Sequence, residues 1–322
     1  MRLIPLAMFA WASSVSAQGA ALAPQGSSLN PDPRPLTPGY TPHRVYDTRK
    51  KSFIDFETLA GRLSGADIVF VGEQHDDPAT HRMELALLEG VARRRDSVVL
   101  GLEMFERDAQ PLLDGYLGGS GTEADLLRDG RPWKNYQSDY RPLVELARSR
   151  GWPVVASNVP RPLASLIGRA GLAALDTLPP ERRSEWAQAI SCPEDEYFDK
   201  FKAVMGDMAG HGASPAGPDS ARARLARVYE AQCVKDETMG ESVARAWRPG
   251  RLVVHYNGAF HSDYRLGTAE RARQRAEGAR VVVITAMPVA DLDRLKPSKD
   301  DRKRADYLLY VLAPAKADSA AR

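Results

Sequence analysis

The chain has 322 residues, a formal net charge of +2 and 43% hydrophobic residues, enough for one large or two modest globular domains with a full core. Charge this close to neutral argues against the concentrated basic face of a nucleic-acid binder, so no nucleic-acid partner is expected. Beyond the first residues the apolar runs are far shorter than the ~20 residues that a membrane-spanning helix needs.

Arg2, an apolar stretch from Leu3 to Ala12 and the small residues Val15-Ser16-Ala17 read as a secretory signal peptide over residues 1–17. The expectation is export across the inner membrane to the periplasm. In that oxidising compartment Cys192 and Cys233 could pair, worth about 4 kcal/mol at most on a chain-entropy estimate; two buried free thiols are the equal alternative. Residues 18–44, rich in Pro, Gly, Ala and Ser without periodicity, read as a flexible tether.

From residue 45 onward short β-branched runs alternate with helical patterns: Ile68–Val71, Val98–Leu102, Val154–Ala156, Leu252–Tyr256, Val281–Ala286 and Tyr307–Leu312. Several are apolar on both faces, as in strands of a mostly parallel sheet covered by helices. The fold class is therefore α/β. Residues 160–249 interrupt the alternation with helical patterns at Leu163–Ala174, Glu181–Ile190, Phe198–Met208 and Ser220–Ala246. They predict a smaller inserted helical domain, set into an α/β domain of residues 45–159 and 250–315. A Gly-, Pro- and Met-rich segment around His211 reads as a mobile loop within it.

Polar residues gather where the predicted strands end. VFVGEQHDD stops on Glu73 and His75, VVLGLEMF on Glu103, VVASNVPR on Asn158 and Arg161, and LVVHYNGAFH on Asn257 and His261. In an open parallel sheet these carboxyl ends share one edge, where ligands bind. Asp77 followed by Pro78 predicts an N-cap and first helical residue, starting a helix over Pro78–Arg95 directly after GEQHD. His81 falls in line with Leu85 and Leu88 and so faces the sheet. The helix N-terminus should keep a nearby histidine neutral, the form that ligates metal.

Gly72–His75 and Gly258–His261 share the spacing Gly-x-x-His, each after a buried strand. With Glu73 and Glu103 they offer two imidazoles and two carboxylates, a donor set for a divalent metal. The alternative is a hydrogen-bonded cluster that only orders the loops. His255, inside a strand, reads as a satisfied core histidine.

GEQHDD with its histidine-bearing helix, GLEMF, the Trp133 and Tyr140 segment leading to VVASNVPR, YEAQCVKDETMGESVA and GAFH occur in this order over approximately Ile68 to Met287. In this the chain resembles the ChaN family of haem-binding uptake proteins, within a wider group that includes TIKI-type and TraB proteins. The resemblance implies a parallel sheet with a small helical domain, haem binding in bacterial iron uptake and a homodimer. It also implies handover to an outer-membrane haem receptor or another uptake component. No cysteine lies near the signal cleavage site, unlike the family's lipoproteins, so a lipid anchor is not expected. Haem iron takes His, Tyr, Met or thiolate ligands in an apolar slot; His211 and Tyr229 are the candidate ligands and Arg161 a propionate partner. A non-enzymatic haem carrier is the first reading. A metal-dependent hydrolase resembling TIKI-type proteases, working through Glu73, His75, Glu103 and His261, is the second.

Overall fold

The computed structural model describes residues 40–209 and 218–313. The strands are β1 (His43–Asp47), β2 (Ser52–Ile54), β3 (Ile68–Glu73), β4 (Val98–Glu106), β5 (Val154–Asn158), β6 (Leu252–Gly258), β7 (Val281–Val289) and β8 (Tyr307–Leu312). They form one sheet in the order β2-β1-β8-β7-β3-β6-β4-β5. From β8 through β5 every neighbouring pair is parallel, while β1 runs antiparallel to both β2 and β8. The fold is α/β.

The first strands went unpredicted because β1 carries charged residues and lies near the sheet edge. It begins at His43, where the tether was expected to continue, and extends the sheet by pairing with β8. Residues 1–39, which include the signal-peptide expectation and most of the tether, lie outside the described residues.

The helices are α1 (Phe56–Ser64), α2 (Pro78–Ala92), α3 (Gln110–Gly118), α4 (Glu123–Asp129), α5 (Arg141–Ser149), α6 (Arg161–Ala170), α7 (Glu196–Ala209), α8 (Pro218–Ala246), α9 (Gly267–Arg275) and α10 (Asp301–Arg304). They cover both faces, which explains why the central strands β3, β4 and β6 are buried along their whole length and largely apolar. In β3, Val69 and Val71 join a core that includes Leu59, Leu87 and Leu143. Ile68 and Phe70 point the other way, into a core with Val243, Ala269 and Ala272. Successive strand side chains alternate between faces, so both sets must be apolar.

Between residues 161 and 246 every described element is helical. The helix predicted over Glu181–Ile190 is instead a 3-10 turn, Pro180–Glu185, followed by irregular chain. Side chains of α8 take over the backbone hydrogen bonds there: Ala187 N donates to Thr238, Gln188 N to Glu241 and Ser191 N to Glu237. The predicted Leu163–Ala174 helix stops at Ala170 because Gly171 takes a positive φ of 88°, open to glycine at little cost. The described residues from Thr41 onward, these helices included, belong to one compact unit. Among them no helix is long and apolar enough to cross a membrane.

Candidate functional site

Strands β3, β6 and β4 are neighbours at the centre of the sheet, and their carboxyl ends bring three sequence motifs together. Glu73 is in register with Gly258, and Gly72 with Asn257. Leu102 is in register with Tyr256, and the side chain of the next residue, Glu103, reaches Gly258, whose N–H donates to Glu103 Oε2 at 2.8 Å. Both Gly-x-x-His segments thus leave the sheet side by side. Their glycines are needed for close approach. A Cβ on Gly258 would lie 2.6 Å from Nε2 of His75, and one on Gly72 would lie 2.9 Å from Cα of Ala259. Gly258 itself has φ −53°, an ordinary backbone conformation, so the imidazole excludes a side chain there.

The two histidines are each held by a carboxylate through Nδ1. His75 Nδ1 lies 2.5 Å from Glu73 Oε1, and His261 Nδ1 lies 2.7 Å from Asp236 Oδ1. Glu103 stands between them, with Oε1 3.3 Å from Nε2 of His261. Burial pushes His261 toward the neutral form, but Glu103 and Asp236 outweigh it and raise the imidazole to about 10. Burial also opposes charge on Glu103; His261, His75 and the Gly258 N–H overcome this and hold the carboxyl well below its usual range. At His75 burial is again outweighed, chiefly by the Glu73 hydrogen bond and the nearby Glu103, and its affinity for a proton rises. At His75 the adjacent full charges outweigh the partial charge of the α2 N-terminus, which was expected to favour the neutral form.

Asp77 does cap α2, accepting from Thr80 N at 2.6 Å with Pro78 at the first turn. His81 is buried, as its place in the apolar stripe required, and its Nε2 lies 3.1 Å from the His75 carbonyl. Tyr140 donates to Glu73 Oε1 at 2.8 Å, and Trp133 packs edge-on against His75 at 4.7 Å. His255 is fully buried between Ser157 Oγ at 2.9 Å and Asn257 Oδ1 at 3.1 Å. Burial lowers its imidazole to about 4.

Asp236, on α8, was not among the predicted site residues. It receives His261, Tyr197 Oη at 2.6 Å and Thr268 Oγ1 at 2.8 Å. Burial disfavours its charge, yet His261, Arg271 and Tyr197 keep it ionised. The sequence held one clue, a carboxylate on the same helical face as Tyr229 and Cys233. Gln232, one turn before, reaches both Tyr197 Oη and His261 Nδ1.

These residues open into a cavity of about 460 Å³ lined by Glu73, His75, Phe201, Phe260, His261 and Arg304, among others. A second cavity of about 360 Å³ adjoins it, with Val204, Phe260, Asp263 and Arg304 on both walls and Tyr197, Lys200 and Tyr264 on its own. Of the residues proposed for haem, Tyr229 is buried with Phe198 and Phe201, its hydroxyl donating to the Pro193 carbonyl at 2.8 Å. Arg161 pairs with Glu106 at 3.0 Å and lines neither cavity. His211 lies outside the described residues. Cys192 and Cys233 are free thiols packed in one cluster, where contact with Cys192, and then burial, raise the Cys233 thiol strongly.

A family profile described as haem-binding uptake, Tiki superfamily, ChaN matches residues 59–272. Among solved structures, one titled as cofacial haem binding to ChaN of Campylobacter jejuni is similar, with a TM-score of 0.62 and 17% identity over 84% of this chain and 96% of that one. A mutant of the erythromycin esterase EreC in its open conformation gives a TM-score of 0.43 at 14% identity, over 85% of this chain and 83% of that one. No curated protein matches the sequence. The match to the profile spans the motifs at all three central strand ends, so the chain belongs to the haem-binding uptake family ChaN of the Tiki superfamily.

Proposed function

We propose that this protein binds haem at the strand-end crevice and carries or hands it over during iron uptake. The observation that supports this reading is the pair of adjoining cavities, whose lining combines the apolar Phe201, Val204 and Phe260 with nitrogen and oxygen donors and the cations Arg304 and Lys200. Haem asks for that combination: a slot for the macrocycle, an axial donor and cations for the propionates. His261 and Tyr197 are committed to Asp236. Among the described residues the hydrogen-bond partner of the His75 ring is Glu73, at Nδ1, and Tyr264, whose hydroxyl donates to Asp300 at 2.6 Å, lies in the second cavity. His75 is the axial ligand in this proposal, and Arg304 and Lys200 hold the propionates. Export to the periplasm, a homodimer and an outer-membrane haem receptor as partner belong to the same reading. The test is a haem titration of the purified chain against His75→Ala and Arg304→Ala, with size-exclusion chromatography of the loaded protein.

A second reading, hydrolysis, is favoured by one observation: two carboxylate–histidine pairs, Glu73–His75 and Asp236–His261, flank Glu103. Each Nδ1 is fixed by a carboxylate, which sets the ring for proton transfer or metal ligation at Nε2. A divalent ion at the crevice would draw on His75, His261 and Glu103, and would supply an acidified water. A panel of ester and peptide substrates, assayed with and without added Mn²⁺ or Zn²⁺, tests it.

A further inference from the structure

Beside the crevice, between the end of β3 and α2, a second group of side chains converges. Glu73 Oε2 lies 3.3 Å from Nδ1 of His81, and Glu84 Oε2 lies 2.9 Å from the same nitrogen. Among the described residues these three form the group whose donor atoms all lie within 4.8 Å of one another; the quartet predicted from the sequence does not. Their side chains are 0, 3 and 1% exposed for Glu73, His81 and Glu84.

The polar atoms that face away are held. Glu73 Oε1 accepts from Tyr140 and contacts His75 Nδ1. His81 Nε2 lies 3.1 Å from the His75 carbonyl and 3.6 Å from Asp139 Oδ2. Metal-ligating imidazoles are fixed in this manner, the far nitrogen donating to a carbonyl or carboxylate. Two buried oxygens of the inner set, Glu73 Oε2 and Glu84 Oε1, have no hydrogen-bond partner among the described residues.

Charge points the same way. Among the described residues no lysine or arginine pairs with Glu73 or Glu84; Glu73 meets His75 and His81, and Glu84 meets His81. Two carboxylates buried together are costly unless balanced. A divalent cation held between them balances both.

We propose that Glu73, His81 and Glu84 form a buried divalent-metal site beside the crevice, bound through two carboxylates and one imidazole nitrogen. This donor set suits a first-row ion such as Zn²⁺ or Mn²⁺. The ion sits apart from haem and acts on the crevice through Glu73, whose other oxygen holds His75. The site does not depend on the haem reading.

The experiment is elemental analysis of the full chain purified without chelator, followed by titration of the stripped protein with Zn²⁺ and with Mn²⁺. The proposal expects about one tightly held equivalent per chain, lost on Glu84→Gln or His81→Gln by roughly tenfold or more in affinity and retained in His261→Gln. Chelator should lower the unfolding temperature of the wild type and leave that of Glu84→Gln unchanged. A wild-type chain that binds neither ion, with Glu84→Gln as stable as wild type, overturns the proposal and leaves a proton shared between Glu73 and Glu84 as the balance. Metal lost in His261→Gln but kept in Glu84→Gln overturns it in favour of an ion in the crevice.

Discussion

Asp236 Oδ1 lies 2.7 Å from His261 Nδ1, so the long helix α8 holds the histidine of the second Gly-x-x-His segment. Both groups are buried, and Asp236 has Tyr197 and Thr268 as further donors. Removing one partner of a buried charge pair strands the other. Asp236→Asn should therefore destabilise by about 3–5 kcal/mol, and the double variant with His261→Gln should cost less than the sum of the two. Urea unfolding of the four proteins in the cycle measures that coupling, and additive losses would contradict it.

Two buried histidines give stability opposite dependences on pH. His255 is lowered to about 4 when folded, against about 6.5 in an unfolded chain. As pH falls through that window the unfolded chain binds a proton that the folded one refuses, so stability present above the upper value is lost toward the lower, by about 3 kcal/mol. His261 is raised to about 10; its contribution is complete below about 6.5 and disappears as pH rises through the folded value. Denaturation midpoints of the metal-free protein should peak near pH 6–7, taken as a rough optimum between the two windows. His255→Gln should flatten the acid side alone, and His261→Gln the alkaline side.

Gly258→Ala places a methyl 2.6 Å from Nε2 of His75. Overpacking of this kind costs about 1–3 kcal/mol and displaces the imidazole, so haem affinity should fall with it. Adding His75→Ala to Gly258→Ala should restore stability without restoring haem affinity. Recovery of both would show that His75 is not the ligand.

Tyr229→Phe removes a hydroxyl that donates to the Pro193 carbonyl, and Arg161→Ala removes a pair with Glu106 away from both cavities. Neither should change haem affinity more than about twofold, a difference below ~0.5 kcal/mol. Arg304→Ala, at the wall shared by both cavities, should weaken it clearly. Equilibrium titrations of the three variants compare them directly.

The strands were legible because two-faced burial writes continuous apolar runs, and the strand-end corner because those runs stop on Glu73, Glu103 and His261. The helix start at Asp77 and Pro78 was legible for an equally local reason. Asp236 and Glu84 were not. Each lies on a helix, and its importance comes from strand ends that pack against that helix in space; helical spacing puts Asp236 on a face with Tyr229 and Cys233 but does not show that His261 meets it there. The region after Pro180 misled for a related reason, since its backbone is satisfied by α8 side chains and not by a helix of its own. Gly258 was singled out by the Gly-x-x-His spacing; the neighbouring His75 ring is what requires a glycine there.

The most direct test of the central claim is absorbance in the Soret region as haem is added to the purified chain, run beside His75→Ala. Haem binding in this crevice predicts saturation at a simple ratio to protein, with a shifted Soret band and affinity weakened by tenfold or more, about 1.4 kcal/mol, in the variant. No saturable binding by the wild type, or identical spectra and affinity in His75→Ala, would contradict it.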